Sequence, residues 1–225
     1  MRREDMRKGD LTRQKIIELS APVFNQKGFA GAALSDLMAA TGLEKGGIYR
    51  HFESKQKLAE DAFDYAWERA MDKRFEGAAA IPDAVDCLIH VIRNFQDRRA
   101  GLVPGGCPLM NTATEADDSN PRLRVRASRA LARLIRRVRS IVQEGQRKGQ
   151  VRDGVDDAEL AVLMIETLEG AIMIGRLQRS DAPIALACNH LIEHLEASVR
   201  SVDRQAIAPA SSPTRLIRAA KRQRG

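Results

Sequence analysis

The spacing of apolar residues along the chain restricts its fold more than any other feature. In segment after segment, leucine, isoleucine, valine and methionine recur every three or four residues, as they do on the buried face of an α-helix. No stretch alternates apolar and polar residues for long enough to predict a β-strand. The sequence therefore predicts an all-α protein of about nine helices.

Turn-forming residues separate these periodic segments and set their predicted ends. Thr12 is expected to cap the first helix, Gly28 to adopt the left-handed conformation after it, and Gly42 to form a tight turn after the second. Ser54 is expected to cap the fourth helix. The predicted helices cover residues 12–27, 34–41, 45–52, 54–75, 83–99, 108–116, 122–148, 156–178 and 183–201.

Positive charge is concentrated at the two ends of the chain, whose net charge is +7. Residues 1–57 carry 11 Lys/Arg against 7 Asp/Glu, and residues 204–225 carry 6 basic residues and no acidic one. Basic end segments suit binding to a polyanion such as nucleic acid, and the same charge suits a membrane surface. We expect residues 1–10 to form a flexible arm and the basic tail, residues 204–225, to be disordered.

Several classes of protein are disfavoured by what the sequence contains. Its three cysteines are an odd number at no metal-ligand spacing, which indicates reduced thiols rather than disulfides or a zinc site. No run of 18 apolar residues and no signal peptide is apparent, so we expect a cytoplasmic protein that does not enter a membrane. No catalytic set of Ser, His and Asp and no phosphate-binding loop is present, so we expect neither enzymatic activity nor a cofactor.

One short motif does match a metal site. His190, Glu193 and His194 have the spacing of the inverted zinc-peptidase motif. On a helix these side chains point away from the apolar stripe of the same segment, and the neighbouring sequence suggests no third ligand. A solvated face or a subunit interface is therefore the preferred interpretation over a zinc site.

Two short predicted helices, 34–41 and 45–52, are separated by a tight glycine turn. This is the arrangement of a helix-turn-helix, in which the second helix lies in the major groove of DNA. The second helix has only Ile48 and Phe52 to bury, so its other side chains are free to enter a groove. Gly46 and Gly47 allow the backbone to approach the duplex closely, and amides at a helix start favour a phosphate. The segment therefore predicts DNA binding.

Residues 11–60 resemble the N-terminal domain of the tetracycline-repressor (TetR) family of bacterial regulators. The resemblance implies a helix-turn-helix DNA-binding domain at 11–56 and a helical ligand-binding and dimerisation domain at 57–203. It also implies a dimeric repressor that a small-molecule effector releases from a palindromic, double-stranded DNA operator. The matching residues are Gly28-Phe29, Asp36-Leu37, Thr41-Gly42-Leu43, Gly47-Ile48-Tyr49-Arg50-His51-Phe52, Ser54-Lys55 and Leu58.

The same resemblance implies which residues contact DNA. The positions that tend to meet base edges are Lys45, Gly46 and Tyr49. The positions that tend to face phosphate are Gly47, His51 and Lys55. The predicted DNA-contacting residues also include Thr12 and Arg50. The chain departs from the family pattern at Ala32 and Ala33, where Thr or Ser commonly caps the second helix and touches phosphate. We therefore expect a less firmly capped second helix.

The remainder of the chain carries weaker signals. The resemblance implies a homodimer formed by the last two helices, about 156–178 and 183–201, where Gly170, Ala171 and Gly175 would allow close approach. A set of apolar residues could line an effector cavity between helices, although each could equally be ordinary core. These residues are Leu88, Ile92, Phe95, Leu109, Met110, Leu131 and Ile135.

Cys107 follows Gly105-Gly106 and precedes Pro108, so it is placed at the start of a helix that would favour the thiolate over the thiol. A cysteine in this place also resembles the electrophile-sensing members of the family. The alternative is a cysteine that belongs to a structural turn. The sequence thus leaves two hypotheses: release by a small-molecule effector, or redox or electrophile sensing through Cys107.

Overall fold

The computed structural model describes residues 8–96 and 103–201, and this part of the chain is all-α, as predicted. It contains nine α-helices, a 3₁₀ turn at Ala78–Ala80, a π-helical turn at Leu195–Val199, and no strand beyond the isolated bridge between Val151 and Arg200. The helices are α1 (Lys8–Gly31), α2 (Leu34–Thr41), α3 (Lys45–Tyr49), α4 (Lys55–Arg74), α5 (Ala84–Gln96), α6 (Pro108–Ala116), α7 (Pro121–Arg147), α8 (Asp157–Gln178) and α9 (Ala182–His194).

The first helix is longer than its sequence predicts. Lys8, Gly9 and Asp10 were expected in a flexible arm but lie in α1, while residues 1–7 and the basic tail fall outside the described residues. Because the helix has already begun, Thr12 does not cap it, and its Oγ1 instead donates to the Lys8 carbonyl at 3.0 Å. At its other end α1 bends at Gly28 and continues to Gly31.

The N-terminal helices enclose a small core of their own. Apolar side chains from α1, α2, α3 and the start of α4 meet there, together with Phe52 from the turn after α3. Sharing this core fixes α3 against α1 even though α3 itself is only five residues long. The buried members are Ile16, Ile17, Leu37, Ile48, Phe52 and Leu58.

A second, larger core joins the C-terminal part of α4 to α5 through α9. Helix α4 belongs to both cores, since Leu58 lies in the first and Phe63 and Trp67 lie in the second. The free cysteines Cys87, Cys107 and Cys188 are all buried. None of the described helices has the length and apolar character needed to cross a membrane.

Candidate nucleic-acid interface and effector cavity

Helix α3 is held as a short exposed rod by its two apolar anchors. Ile48 is 1% exposed and Phe52 is 2% exposed, so both side chains are packed in the N-terminal core. The turn before α3 depends on Gly42, whose φ of 67° and N–H bond to the Met38 carbonyl at 2.9 Å form a left-handed cap of α2. The regular helix ends at Tyr49 rather than at residue 52, and turn-type hydrogen bonds carry the chain on to Phe52.

The predicted DNA-contacting residues of α3 and the following turn are all at least partly exposed. Lys45, Gly46 and Arg50 are exposed, while Gly47, Tyr49 and His51 are half-buried. A Cβ added at Gly46 would meet no atom within 4 Å, so the protein's own packing does not require glycine there. The missing side chain leaves room for a DNA backbone or base to approach closely. At Gly47, in contrast, a Cβ would lie 3.3 Å from the Leu43 Cβ.

Lys55 has a partner inside the protein. Its Nζ donates to the Phe29 carbonyl at 2.5 Å and lies 4.5 Å from the centroid of the Phe29 ring. These contacts fasten the first turn of α4 to the end of α1. A phosphate contact by Lys55 would therefore use one of its other two N–H donors or replace this hydrogen bond.

The second helix keeps half of a capping box. Ala33 occupies the N-cap and has no side-chain acceptor, but its N–H donates to the Asp36 carboxylate at 3.0 Å. Lys27 Nζ donates to the other Asp36 oxygen at 2.6 Å. The hydrogen bond from Lys27, followed by that from Ala33, lowers the pKa of Asp36. The carboxylate thus partly replaces the cap that Ser or Thr would supply.

A carboxylate from the larger core binds the end of α1. Glu115 on α6 accepts hydrogen bonds from the N–H groups of Phe29 at 2.8 Å and Ala30 at 2.9 Å. Its approach requires Gly28, because a Cβ at that position would lie 2.4 Å from the Glu115 Oε2. This pair of hydrogen bonds joins α6 directly to the helix-turn-helix unit.

Two asparagines make a second connection between the same parts. Asn25 on α1 donates from Nδ2 to the carbonyls of Pro104 at 3.0 Å and Gly106 at 3.1 Å. Asn111 on α6 donates to the Asn25 carbonyl at 3.0 Å and to the Gly105 carbonyl at 2.9 Å. The loop that precedes α6 is therefore bound to α1 by side-chain amides.

This loop closes one side of a cavity between α4, α5 and α8, with a volume of about 180 Å³. Polar and cationic groups share its wall with apolar side chains. The lining residues are Ala70, Lys73, Arg74, Asn94, Phe95, Val103, Pro104, Gly105, Gly106, Cys107, Pro108, Ile172 and Arg176.

Seven residues were predicted to line an effector cavity, and of these Phe95 lines the cavity between α4, α5 and α8. Leu88, Ile92 and Leu109 are buried core residues, and Ile135 packs against the same core. Met110 lines a separate surface groove beside α1. Leu131 was expected on the inward face of α7 but is 36% exposed, because the buried stripe of that helix runs through its neighbours Ala127, Ala130 and Leu134.

A charged cluster that sequence reasoning missed lies beside Cys107. Arg74 on α4 is only 4% exposed, and its Nη2 donates to the Cys107 Sγ at 3.4 Å and to the Glu169 Oε1 at 3.0 Å. The sequence does hold a signal for it, since Arg74 continues the four-residue series of buried alanines Ala62, Ala66 and Ala70 on α4. A charged residue on a buried stripe marks a polar site inside the core.

Cys107 occupies the N-cap of α6 as expected, but its environment does not favour the thiolate. Burial raises the pKa of this thiol to about 11, even though the neighbouring Arg74 acts to lower it. A pKa above the usual value keeps the proton on sulfur at neutral pH. The expectation that the helix start would yield a thiolate is therefore wrong for this structure.

Alkylation of Cys107 is accordingly expected to be slow. At pH 7.5 its thiolate fraction should be roughly 300-fold lower than that of a free cysteine, whose pKa is about 8.5. Intact-mass measurements after treatment with N-ethylmaleimide, with Cys107→Ser as the site control, would report this rate. Rapid Cys107 labelling at neutral pH with loss of DNA binding would instead support the electrophile-sensing hypothesis.

Helices α8 and α9 carry a face of exposed apolar side chains. Gly170 lies on the open part of α8, where an added Cβ would meet nothing within 4 Å. Ala171 and Gly175, which were expected to allow close approach of a partner, are instead buried within the subunit. The exposed apolar residues are Val162, Leu163, Met173, Ile174 and Leu177 on α8 and Leu186 on α9.

The motif of His190, Glu193 and His194 lies outside the buried stripe of α9. His190 and Glu193 are exposed and His194 is half-buried. Within residues 8–96 and 103–201, no group of three or more His, Cys, Asp or Glu side chains could hold a metal ion.

Comparison with known proteins agrees with this architecture at both ends of the chain. Residues 16–62 match the family model "Bacterial regulatory proteins, tetR family", and residues 84–191 match "Tetracyclin repressor-like, C-terminal domain". The transcriptional repressor DhaR of Mycobacterium sp. (strain GP1) is 24% identical over 200 residues, which span 86% of this chain and 96% of DhaR. An HTH-type transcriptional regulator of Mycobacterium tuberculosis (strain ATCC 25618 / H37Rv) is 30% identical over 188 residues, covering 80% of this chain and 91% of its own.

A solved structure is closer still in sequence. The crystal structure of a TetR transcriptional regulator from Chloroflexus aurantiacus is 44% identical, has a TM-score of 0.83, and covers 88% of this chain and 100% of its own. Members of this family are DNA-binding regulators rather than enzymes. A helix-turn-helix unit packed on a larger helical domain, together with these matches, shows that the chain belongs to the TetR family of transcriptional regulators.

Proposed function

We propose that this regulator is a homodimeric repressor that binds a palindromic operator and is released by a small-molecule effector. The observation that carries the proposal is that the unit bearing the exposed α3 is tied to the cavity loop and to α6. Asn25 of α1 donates to the Pro104 carbonyl of the loop, and the Phe29 N–H donates to Glu115 of α6. The proposed DNA-binding domain is 11–56, and the proposed ligand-binding and dimerisation domain is 57–203. The proposed DNA contacts are Thr12, Lys45, Gly46, Gly47, Tyr49, Arg50, His51 and Lys55.

Dimerisation is supported by the exposed apolar face of α8 and α9. Exposed apolar side chains grouped on one side of a helix mark a protein–protein contact more often than scattered ones do. A dimer would also present two copies of α3 to the DNA. This matters because α3 has only five residues, and one such helix contacts few base pairs. Two copies held about one helical turn of DNA apart (~34 Å) turn two weak half-site contacts into one strong one.

Release is supported by how the cavity loop is bound. A ligand in the cavity would lie against Gly105 and Gly106, and their carbonyls accept hydrogen bonds from Asn111 and Asn25. Moving this loop would act on α1, which shares the N-terminal core with α3. Differential contact of the ligand with two positions of the loop is what effector-driven release requires.

Removing Tyr49 or Arg50 is expected to weaken operator binding by about 10–100-fold, since each is proposed to supply one contact per half-site and two contacts at ~1 kcal/mol each are lost from the dimer. The measurement is fluorescence anisotropy with the palindromic DNA fragment from the promoter region of the gene, over a range of salt concentrations. Arg50→Ala should also lower the salt slope, because removing a cation from the proposed interface reduces the number of counterions released on binding.

Arg147→Ala is the matched control. Arg147 is an exposed arginine near the end of α7, paired with Glu144, and its removal takes away the same charge outside the proposed interface. Operator affinity of this variant should equal that of the parent. If Tyr49→Ala and Arg50→Ala, folded normally, also bind like the parent, α3 is not the recognition helix.

A further inference from the structure

The wall of the cavity is cationic. Lys73, Arg74 and Arg176 all line it, and no carboxylate side chain is among its lining residues. Glu169 pairs with Arg74 and Glu76 pairs with Lys73, so these two acids offset part of the charge from outside the cavity. Arg176 forms no ion pair with any described residue, so its charge is not offset within the described part of the chain.

Arg74 is buried, and some of its N–H donors have no hydrogen-bond partner. A guanidinium carries five N–H donors, and the two partners of this one, Cys107 and Glu169, are both bound by Nη2. Its Nη1 is buried and has no hydrogen-bond partner. The guanidinium carbon lies 4.2 Å from the ring centroid of Phe95 and 5.6 Å from that of Trp67, so the group is held in place by aromatic rings. A fixed guanidinium with an unused donor edge is suited to a carboxylate.

Arg176 brings a second guanidinium to the loop side of the cavity. A Cβ added at Gly106 would lie 2.2 Å from the Arg176 Nη1, so the guanidinium rests directly on the glycine backbone. Gly106 has φ of 94° and tolerates this approach because it has no side chain. The two arginines therefore line the same cavity from α4 and α8.

The rest of the wall limits the size of the ligand. Ala70, Phe95 and Ile172 supply an apolar patch. The volume of about 180 Å³ is well below the roughly 300–1,000 Å³ of pockets that hold drug-sized ligands. The space suits a compact apolar group attached to one charged group.

From these features we propose that the effector is a small organic monocarboxylate, whose carboxylate binds Arg74 and Arg176 and whose apolar part packs on Phe95. The inference rests on the proposed function, since it names the chemical class that occupies the effector cavity. Binding at Arg176 would also displace the guanidinium from Gly106, whose carbonyl is held by Asn25. The hydrogen bond between Asn25 and the Gly106 carbonyl would thus couple anion binding to α1.

The test compares acids with their uncharged amides on the full-length protein. Isothermal titration calorimetry is carried out with butyrate, benzoate and phenylacetate, and with butyramide, benzamide and phenylacetamide as probes of matched shape. At least one acid is expected to bind ten-fold or more tightly than its amide. If all three acids bind no better than their amides, the inference is overturned.

Two variants and one control locate the effect. Arg176→Ala removes an exposed side chain and should lower the affinity for the preferred acid about ten-fold. Arg74→Met combined with Glu169→Met removes the buried pair together, so that no unpaired charge is left in the core, and should abolish the preference for acid over amide. Arg147→Ala should bind the acid like the parent. An acid that binds both cavity variants as tightly as it binds the parent contradicts the proposal.

Operator binding by the ligand-free protein separates this inference from the proposed function. Intact operator binding without any preference for acids overturns the anionic effector alone. A preference for acids in a protein that binds no operator overturns the proposed function and leaves the ligand assignment standing.

Discussion

Replacing Leu163 and Leu177 together by glutamate should convert the protein to monomers and lower operator affinity by about 10²–10⁴-fold, the gain that linking two binding units commonly supplies. Leu163 is 43% exposed and Leu177 is 80% exposed, and both lie on the apolar face of α8. Four glutamates in one symmetric interface would each lose hydration without gaining a partner. Sedimentation equilibrium measures the association, and fluorescence anisotropy measures the operator affinity.

Val125→Glu is the matched control for this pair. Val125 is an exposed apolar residue on α7, outside the two helices of the proposed interface. The same chemical change there should leave a dimer with the operator affinity of the parent. A Leu163→Glu/Leu177→Glu protein that remains dimeric would show that the subunits meet through another surface.

Helix ends set by local chemistry could be predicted from the sequence to the residue. The predicted bounds of α2 and α6 are those of the structure, and Ser54 caps α4 through a hydrogen bond from the Lys57 N–H at 3.1 Å. In each case the deciding residues lie within one turn of the helix end. The start of α1 was predicted wrongly because a threonine at position 12 is a common N-cap residue. The helix in fact begins four residues earlier, at Lys8.

The cavity could not be predicted in the same way, because its polar residues come together only in three dimensions. Arg74, Cys107 and Glu169 lie on α4, at the start of α6 and on α8, and no sequence spacing relates them. Periodicity identified α7 as amphipathic but did not fix which residues at the edge of the stripe are covered. Leu131 lies at that edge and is exposed.

Helix α3, the proposed recognition helix, could be predicted in part. Its place in the chain and its two buried anchors follow from the sequence, since Ile48 in the helix and Phe52 in the turn after it are the apolar residues available to bury. The engagement of Lys55 with the Phe29 carbonyl does not follow from it, because that contact depends on how α4 packs beside the end of α1. The sequence thus indicates where the proposed interface lies, and the structure shows that Lys55 already has a partner within the protein.

Gly28→Ala is expected to destabilise the protein through two separable effects. Gly28 has φ of 74° and ψ of 174°, an extended region with positive φ rather than the left-handed helical one that its sequence predicts. This region is almost restricted to glycine, and an alanine held in it costs on the order of 1–3 kcal/mol. The added Cβ would also displace the Glu115 carboxylate from the N–H groups of Phe29 and Ala30. Calorimetry should show a lower Tm, by about 2–4 °C for each kcal/mol lost in a chain of this size.

Gly31→Ala and a double substitution divide this loss between its causes. Gly31 lies in the same helix, has no positive φ, and offers an added Cβ no contact closer than 3.9 Å, so its alanine should be neutral or stabilising. Removing the Glu115 side chain in the Gly28→Ala background relieves the steric conflict but leaves the backbone strain. The double variant should therefore lose less than the sum of the two single losses, because the Gly28→Ala change has already broken the hydrogen bonds that Glu115→Ala would remove. Strictly additive losses would mean that Glu115 does not hold α6 to the helix-turn-helix unit through the backbone next to Gly28.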